Sequence, residues 1–283
     1  MAGSAWADYP FPLISTPACD IGYTTQFVKS ASLMALNHNI IIRGMNSVYL
    51  QCAHVTRASA ADFIVYCQCW SEFVHNHHDC EEASYFPLIE KAVGVAGLAD
   101  QNLEQHEAFM DGLLEFDRYM KLVTPATYSG TAVLHILDSF AATLQLHLTD
   151  EIVWIQGLSQ TYPELDIAAI DLRHEAYVRS KVSKTRIIPF FWTNHDKTYE
   201  NGIHQWWPTG NALRDWFMKY ICTMVHSGAW KFSSCSKGGR PKRLEIRRGR
   251  GERDLERGDA VELGPKRPEA VRVIPHTKAG SEW

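Results

Sequence analysis

Four stretches of this chain each carry an apolar stripe with a single histidine set into it. The first stripe, spaced every three or four residues, consists of Phe27, Ala31, Met34, His38, Ile41, Met45, Val48 and Cys52. This spacing places all eight side chains on one face of an α-helix, and His38 is the only polar side chain among them. The stripe therefore predicts a helix that turns a histidine toward the protein core.

Three further stripes repeat this arrangement along the chain. They consist of Phe63, Cys67, Trp70, Val74, His77, Glu81, Ser84 and Leu88; of Ala99, Leu103, His106, Met110, Leu113, Phe116 and Met120; and of Val133, Leu137, Phe140, Leu144, His147, Glu151 and Trp154. Short connections near residues 55–61, 93–98 and 124–130 favour antiparallel neighbours. The sequence predicts an all-α protein, an up-down-up-down four-helix bundle with its four histidines at one depth.

The segment HNHHDCEEASYFP at residues 75–87 leaves a choice of register. His77 and Glu81 continue the second stripe and are predicted to face inward. The remaining polar residues are predicted to lie on solvated or flanking faces: His75, His78, Asp79 and Glu82. A shift of one residue, to His78 and Glu82, is the alternative register.

A metal is the simplest physical explanation for two glutamates buried in such a core. An ionised carboxylate in a low-dielectric interior costs several kcal/mol unless it is neutralised, and no Lys or Arg lies on any stripe. The predicted metal ligands are His38, His77, Glu81, His106, His147 and Glu151. They suffice for two divalent ions with bridging carboxylates. Histidine with carboxylate favours iron, with manganese as the alternative metal.

Four sequence segments, in order, resemble the hemerythrin-like (HHE cation-binding) family. They are LNHNIIIRGMNSVY, HHDCEEASYFP, LEQHEAF and LHLTDEIVWI, and the resemblance covers about residues 30–157. PFFWTNHDKTYENGIHQWWP and GAWKFSSC further resemble a C-terminal extension of fungal members. The resemblance implies the same six iron ligands that the periodicity selects.

One position departs from the pattern of the oxygen-carrying hemerythrins. Their third helix carries a second histidine one turn after the first, and here that residue is Met110. A ligand set of four His and two Glu leaves a coordination position open, which favours small-molecule chemistry. The predicted function is a non-haem di-iron protein that binds dioxygen, nitric oxide or a peroxide as carrier, sensor or detoxifier, with enzymatic turnover undecided. The alternatives are an iron-sequestering protein without turnover and a metal-free helical interaction module.

The predicted organisation has four parts. Residues 1–24 form an N-terminal arm, 25–157 the bundle, 158–236 an irregular and partly helical extension, and 237–283 a basic tail. The tail holds thirteen Lys and Arg against eight Asp and Glu, is poor in aromatic residues, and is predicted to be disordered. Its interleaved acids argue against a nucleic-acid partner.

The remaining features are predicted to be structural. In the extension, Trp206, Trp207, Trp216 and Phe217 are predicted to form an apolar lid on the bundle. A second metal site could be built from His195, Asp196, Glu200 and His204, but Gly202 and Pro208 favour an irregular loop. His54, His135, His174 and His226 are predicted to be surface or capping residues. The absence of a long apolar run or a secretory signal, together with seven scattered cysteines, predicts a cytoplasmic protein with reduced thiols and no membrane partner.

Overall fold

The structure is a computed structural model that describes residues 6–245. Within that range it is helical, with one isolated backbone bridge between Cys235 and Pro241 and no β-strand. The α-helices are α1 (Pro17–Ile21), α2 (Gln26–Gln51), α3 (Arg57–Cys80), α4 (Phe86–Val93), α5 (Asp100–Leu122), α6 (Gly130–Thr161), α7 (Ile167–Lys181), α8 (Ile187–Asn194) and α9 (Ala212–Tyr220). The predicted all-α class is confirmed.

Helices α2, α3 with α4, α5 and α6 form the four-helix bundle. Helix α6 packs against α2 and α5, and α3 packs against α5 and α2. Local signals in the sequence fix the helix starts: Thr25 Oγ1 accepts from the Val28 N–H at 3.1 Å, and Thr56 and Ser59 form a reciprocal capping box. Gly94 ends α4 with φ of 74°, a left-handed conformation that glycine adopts without strain.

A π-helical segment, Glu81–Tyr85, joins α3 to α4 without interrupting the helical path. Here the Phe86 N–H donates to the carbonyl of Glu81, five residues earlier instead of four. Such single-turn π segments are rare and occur frequently at functional sites, because they change the direction in which side chains point. This one begins at a predicted metal ligand.

Helix α2 is buried almost all round its circumference. The bundle covers one side, and the N-terminal arm and the extension cover the other. Asn39 Oδ1 accepts from the Ile14 N–H of the arm at 2.8 Å, and Arg43 donates to Asp196 of the extension at 2.9 Å. The buried Arg43 charge is therefore paired outside the bundle seam.

The extension packs on the bundle through α7 and α8. Helix α7 contacts α2 and the π segment, and α8 contacts α3. The predicted aromatic lid is largely wrong: Trp207 packs against the core, but Trp206, Trp216 and Phe217 are exposed. They lie on an irregular turn and on α9, which presents them to solvent.

The predicted start of the tail at residue 237 also differs from the structure. Lys242 Nζ donates to the Trp230 carbonyl at 2.8 Å, Leu244 is buried, and the Glu245 N–H donates to Gln51 at 2.9 Å. Residues 237–245 therefore belong to the packed body. The remainder of the predicted tail lies outside the described residues.

All seven cysteines are free thiols, and only Cys19 among them is exposed. Across residues 6–245 no helix combines the length and apolar character needed to cross a bilayer.

Candidate metal centre

Seven histidine and glutamate side chains converge in the middle of the bundle. Helix α2 contributes His38, α3 contributes His77 and His78, the π segment contributes Glu81, α5 contributes His106, and α6 contributes His147 and Glu151. All are buried except His77, whose side chain is 11% exposed. The structure therefore brings together all six predicted ligands and adds His78.

The donor atoms fall into two groups, each with atoms within 4.8 Å of one another. The first group is His78, Glu81, His106 and His147; the second is His38, His77, Glu81 and Glu151. Glu81 belongs to both groups: its Oε1 lies 3.0 Å from His77 Nε2, and its Oε2 lies 3.8 Å from His106 Nε2. Glu81 could therefore contribute a ligand atom to a cation held by either group.

Most of the inward-facing atoms make no hydrogen bond with the protein. They are Nε2 of His38, His77 and His78, and both carboxylate oxygens of Glu81 and Glu151. His38 Nε2 and Glu151 Oε2 approach to 3.2 Å without forming one. Buried polar atoms are nearly always paired, so a cluster of unpaired lone pairs from imidazoles and carboxylates fits a bound cation.

Four of the five histidines are anchored through their outer nitrogen. Nδ1 donates to the Leu148 carbonyl in His38 (2.7 Å) and to the Val74 carbonyl in His78 (2.9 Å). In His106 and His147, Nδ1 lies within hydrogen-bond distance of a side-chain oxygen, at 2.7 and 3.1 Å respectively. A proton on Nδ1 leaves the Nε2 lone pair free, and such outer contacts orient metal-binding imidazoles.

The electrostatics of the cluster also suit a bound cation. Burial, with a contribution from Glu151, raises the pKa of Glu81 well above its usual value. Burial and neighbouring histidines lower the pKa of His77 and His78 well below the usual value, and that of His147 to about 2. These three imidazoles are thus neutral and able to bind a metal, while a cation favours the ionised Glu81.

The predicted inward position of Glu81 is correct, and the alternative register at Glu82 is not adopted. The Glu82 side chain is 45% exposed, and its Oε1 accepts from His106 Nδ1. Gln105 plays the same part for His147. The sequence did not predict that either residue contacts the outer nitrogen of a histidine, although each lies next to a predicted ligand.

The prediction that His78 lies on a flanking face is wrong, because its side chain is almost fully buried among the ligands. An α-helix advances roughly 100° per residue, so Glu81 lies roughly 40° past His77 and roughly 60° short of His78 around the axis. A glutamate between two cations can therefore have one histidine on each side. The stripe predicts only one inward histidine per helix, so the burial of His78 beside His77 was not predicted.

Aromatic side chains close the first group from solvent. The Phe109 ring lies 4.9 Å from the His78 ring and 5.7 Å from that of His147, and Phe86 lies 5.8 Å from His106. Trp154 packs on Phe86. This wall excludes water from the first group.

The residues of the other possible metal cluster make three separate structural contacts. Asp196 pairs with Arg43, and His195 donates to the Trp207 carbonyl. His204 Nε2 lies 2.6 Å from Glu200, whose carboxylate also accepts from Thr16 of the N-terminal arm. Asp196 thus fastens the extension to the bundle, and Glu200 fastens the N-terminal arm to the extension.

Three of the remaining histidines are exposed as predicted, namely His54, His135 and His226. His174 differs, because it is partly buried on α7 and its ring lies 5.1 Å from that of Tyr85 in the π segment. The prediction of a surface or capping role for His174 is therefore wrong.

This convergence of histidines and glutamates in a four-helix bundle defines a cation-binding helical protein. Residues 30–153 match the Hemerythrin HHE cation binding domain, and the chain belongs to that family. The resemblance in the sequence is thereby confirmed.

A curated relative extends the likeness beyond the bundle. The chain is 35% identical over 244 residues to "Dimeric xanthone biosynthesis cluster protein R11" from Cryptosporiopsis sp. (strain 8999), covering 84% of this chain and 92% of the relative. The two proteins are therefore similar in both the bundle and the extension. No solved structure matches significantly.

Proposed function

We propose that this protein is a non-haem di-iron protein that binds dioxygen or a related small molecule, such as nitric oxide or a peroxide. The observation that supports the proposal best is the pair of donor groups that share Glu81. Imidazole and carboxylate donors suit iron, and manganese is the alternative. When bound, iron would supply redox chemistry and a coordination position for a small ligand.

The two groups support different roles. The first has three histidines and Glu81 behind the Phe109 and Phe86 wall, which suits a site that holds its cation firmly. The second has two histidines and two glutamates, a set resembling the two-histidine-plus-carboxylate sites of oxygen-using iron proteins. It also contains His77, the most exposed of the seven. We place small-molecule binding at the second group.

Metal analysis of protein expressed with iron tests this proposal. We expect about two irons per chain, and a change in the absorption spectrum when oxygen or nitric oxide is added to the reduced protein. Glu81→Ala should lose metal from both groups, whereas Glu107→Ala changes an exposed residue beside His106 and serves as the control.

Other outcomes distinguish the alternatives. Two irons with no spectral response to any of these molecules would indicate a sequestering protein. Absence of stoichiometric transition metal in the wild-type protein would refute the proposal and favour a helical interaction module.

The relative's name supports a second candidate role. It is described as a protein of a dimeric xanthone biosynthesis cluster, and its identity to this chain covers the extension as well as the bundle. We therefore propose, as the second candidate, participation in the biosynthesis of an aromatic product of that class. Disruption of the gene followed by metabolite profiling tests this role, and an unchanged profile would contradict it.

A further inference from the structure

Helix α7 lies beyond the matched domain and places a histidine beside the second donor group. Nine buried side-chain nitrogen and oxygen atoms of the described residues lack a hydrogen-bond partner, and seven belong to residues of the two donor groups. Nδ1 of His174 is one of the other two. His174 thus shares the unpaired state of the ligands without belonging to either donor group.

One ring contact and the electrostatic influence of its neighbours locate His174 on the same side as His77 and Glu151. Its ring packs on Tyr85, four residues after Glu81 in the π segment. The charge of Glu151 acts to raise the pKa of His174, and His174 contributes to the lowered pKa of His77. Burial outweighs the effect of Glu151 and lowers the pKa of His174 to about 4, so its imidazole is neutral near pH 7.

A hydrogen-bonded chain fixes α7 in this position. Ser30 Oγ on α2 donates to Asp171 Oδ1 on α7 at 2.9 Å, and Ser30 Oγ lies 3.0 Å from the Tyr85 hydroxyl. Asp171 precedes His174 by three residues and therefore lies on the same face of α7. The chain joins α2, the π segment and α7 about one turn before His174.

We propose that His174 is a ligand-positioning residue whose Nδ1–H donates a hydrogen bond to the small molecule bound at the second donor group. This inference rests on the proposed function. A neutral imidazole can donate from Nδ1 to a small ligand that presents an oxygen or nitrogen lone pair. The extension would thereby supply a hydrogen-bond donor beside a site whose other residues all come from the HHE domain.

Azide binding to the iron-loaded, oxidised full-length protein tests the inference, with the absorption spectrum as readout. A hydrogen bond to a charged group contributes enough that His174→Leu should weaken azide affinity by about tenfold or more, with iron content unchanged. His174→Asn places an amide N–H near the position of Nδ1 and should retain most of the affinity. His135→Leu, on the exposed surface of α6, is the matched control.

The possible outcomes are distinguishable. Equal azide affinity in His174→Leu and the wild type would overturn the inference and leave the proposed function intact. Loss of iron from both His174 variants would show that His174 holds the metal, which also overturns it. Iron-loaded wild-type protein that binds neither azide nor nitric oxide would refute the proposed function and this inference together.

Discussion

Replacement of His78 by Leu should lower metal affinity while raising the stability of the metal-free protein. His78 is a donor in the first group, and its Nε2 has no hydrogen-bond partner in the protein. Structural zinc sites with four ligands bind with roughly 10–16 kcal/mol, or about 3 kcal/mol per ligand. By that measure the variant should bind metal about 100-fold more weakly.

Without metal, the same substitution is expected to raise the free energy of unfolding. An unpaired polar group in the core costs about 1–3 kcal/mol, and leucine of similar volume does not incur that cost. Metal-free His78→Leu should therefore unfold at a higher denaturant concentration than the metal-free wild type. With metal present, the order should reverse, because binding energy adds to the stability of the folded state.

Denaturant titrations with and without iron, together with a chelator competition, measure both effects. His75→Leu is the matched control on the same helix: His75 is partly exposed and pairs with Asp117 at 2.6 Å outside the cluster. It should leave metal affinity unchanged. If His78→Leu binds two irons as tightly as the wild type, His78 is not a ligand and the two-group description of the site is wrong.

Three further predictions concern neighbouring residues. Glu82→Ala removes the acceptor from His106 Nδ1 and should reduce metal affinity about 10–100-fold while leaving the protein folded, as measured by chelator competition; retention of full affinity would assign Glu82 to the surface alone. Met110→His, added to His78→Leu, should restore part of the lost affinity by supplying a histidine one turn after His106, and metal analysis would show no recovery if Met110 is directed elsewhere. Burial raises the pKa of Asp171 from 3.8 to about 7, so its contribution to stability is fully present below pH 3.8 and is lost as the pH rises through 7. Asp171→Asn should therefore give a flatter profile of stability against pH between pH 4 and 7 in denaturant titrations. An unaltered profile would contradict the raised pKa of Asp171.

The bundle was predictable because its signal is local and repeated. Each stripe fixes one helix face, and every residue of the first stripe that lies in α2 is buried, although the burial of α2 extends well beyond that face. Caps such as Thr25 and Gly94 mark helix ends in the sequence itself. The predicted bundle boundary at residue 157 fell short, because α6 continues to Thr161 without a breaking residue.

The centre was predictable only in part. Glu81 could be chosen over Glu82 because Glu81 continues the second apolar stripe, which directs its side chain into the core. His78 could not be chosen by the same rule, since a stripe directs one histidine per helix inward, whereas α3 directs both His77 and His78 toward the donor groups. The position of His174 could not be predicted from periodicity, because it depends on how α7 packs across the π segment. That packing is a tertiary contact.

The predicted lid failed for a related reason. Aromatic composition indicates that a segment can bury surface, but it does not indicate what the segment will cover. Trp207 packs against the core, whereas Trp216 and Phe217 are exposed. Packing partners of an irregular extension are set by its turns, and those turns carry little periodic signal.

The anchored outer nitrogens have a consequence for how the protein acquires its metal. The contacts from Nδ1 of His38, His78, His106 and His147 are made to protein atoms, so they do not depend on a cation. The loss of side-chain freedom is therefore incurred when the chain folds and not when metal arrives. Loading should consequently be a fast, single-phase association whose rate rises linearly with metal concentration, without a slow step of chain rearrangement.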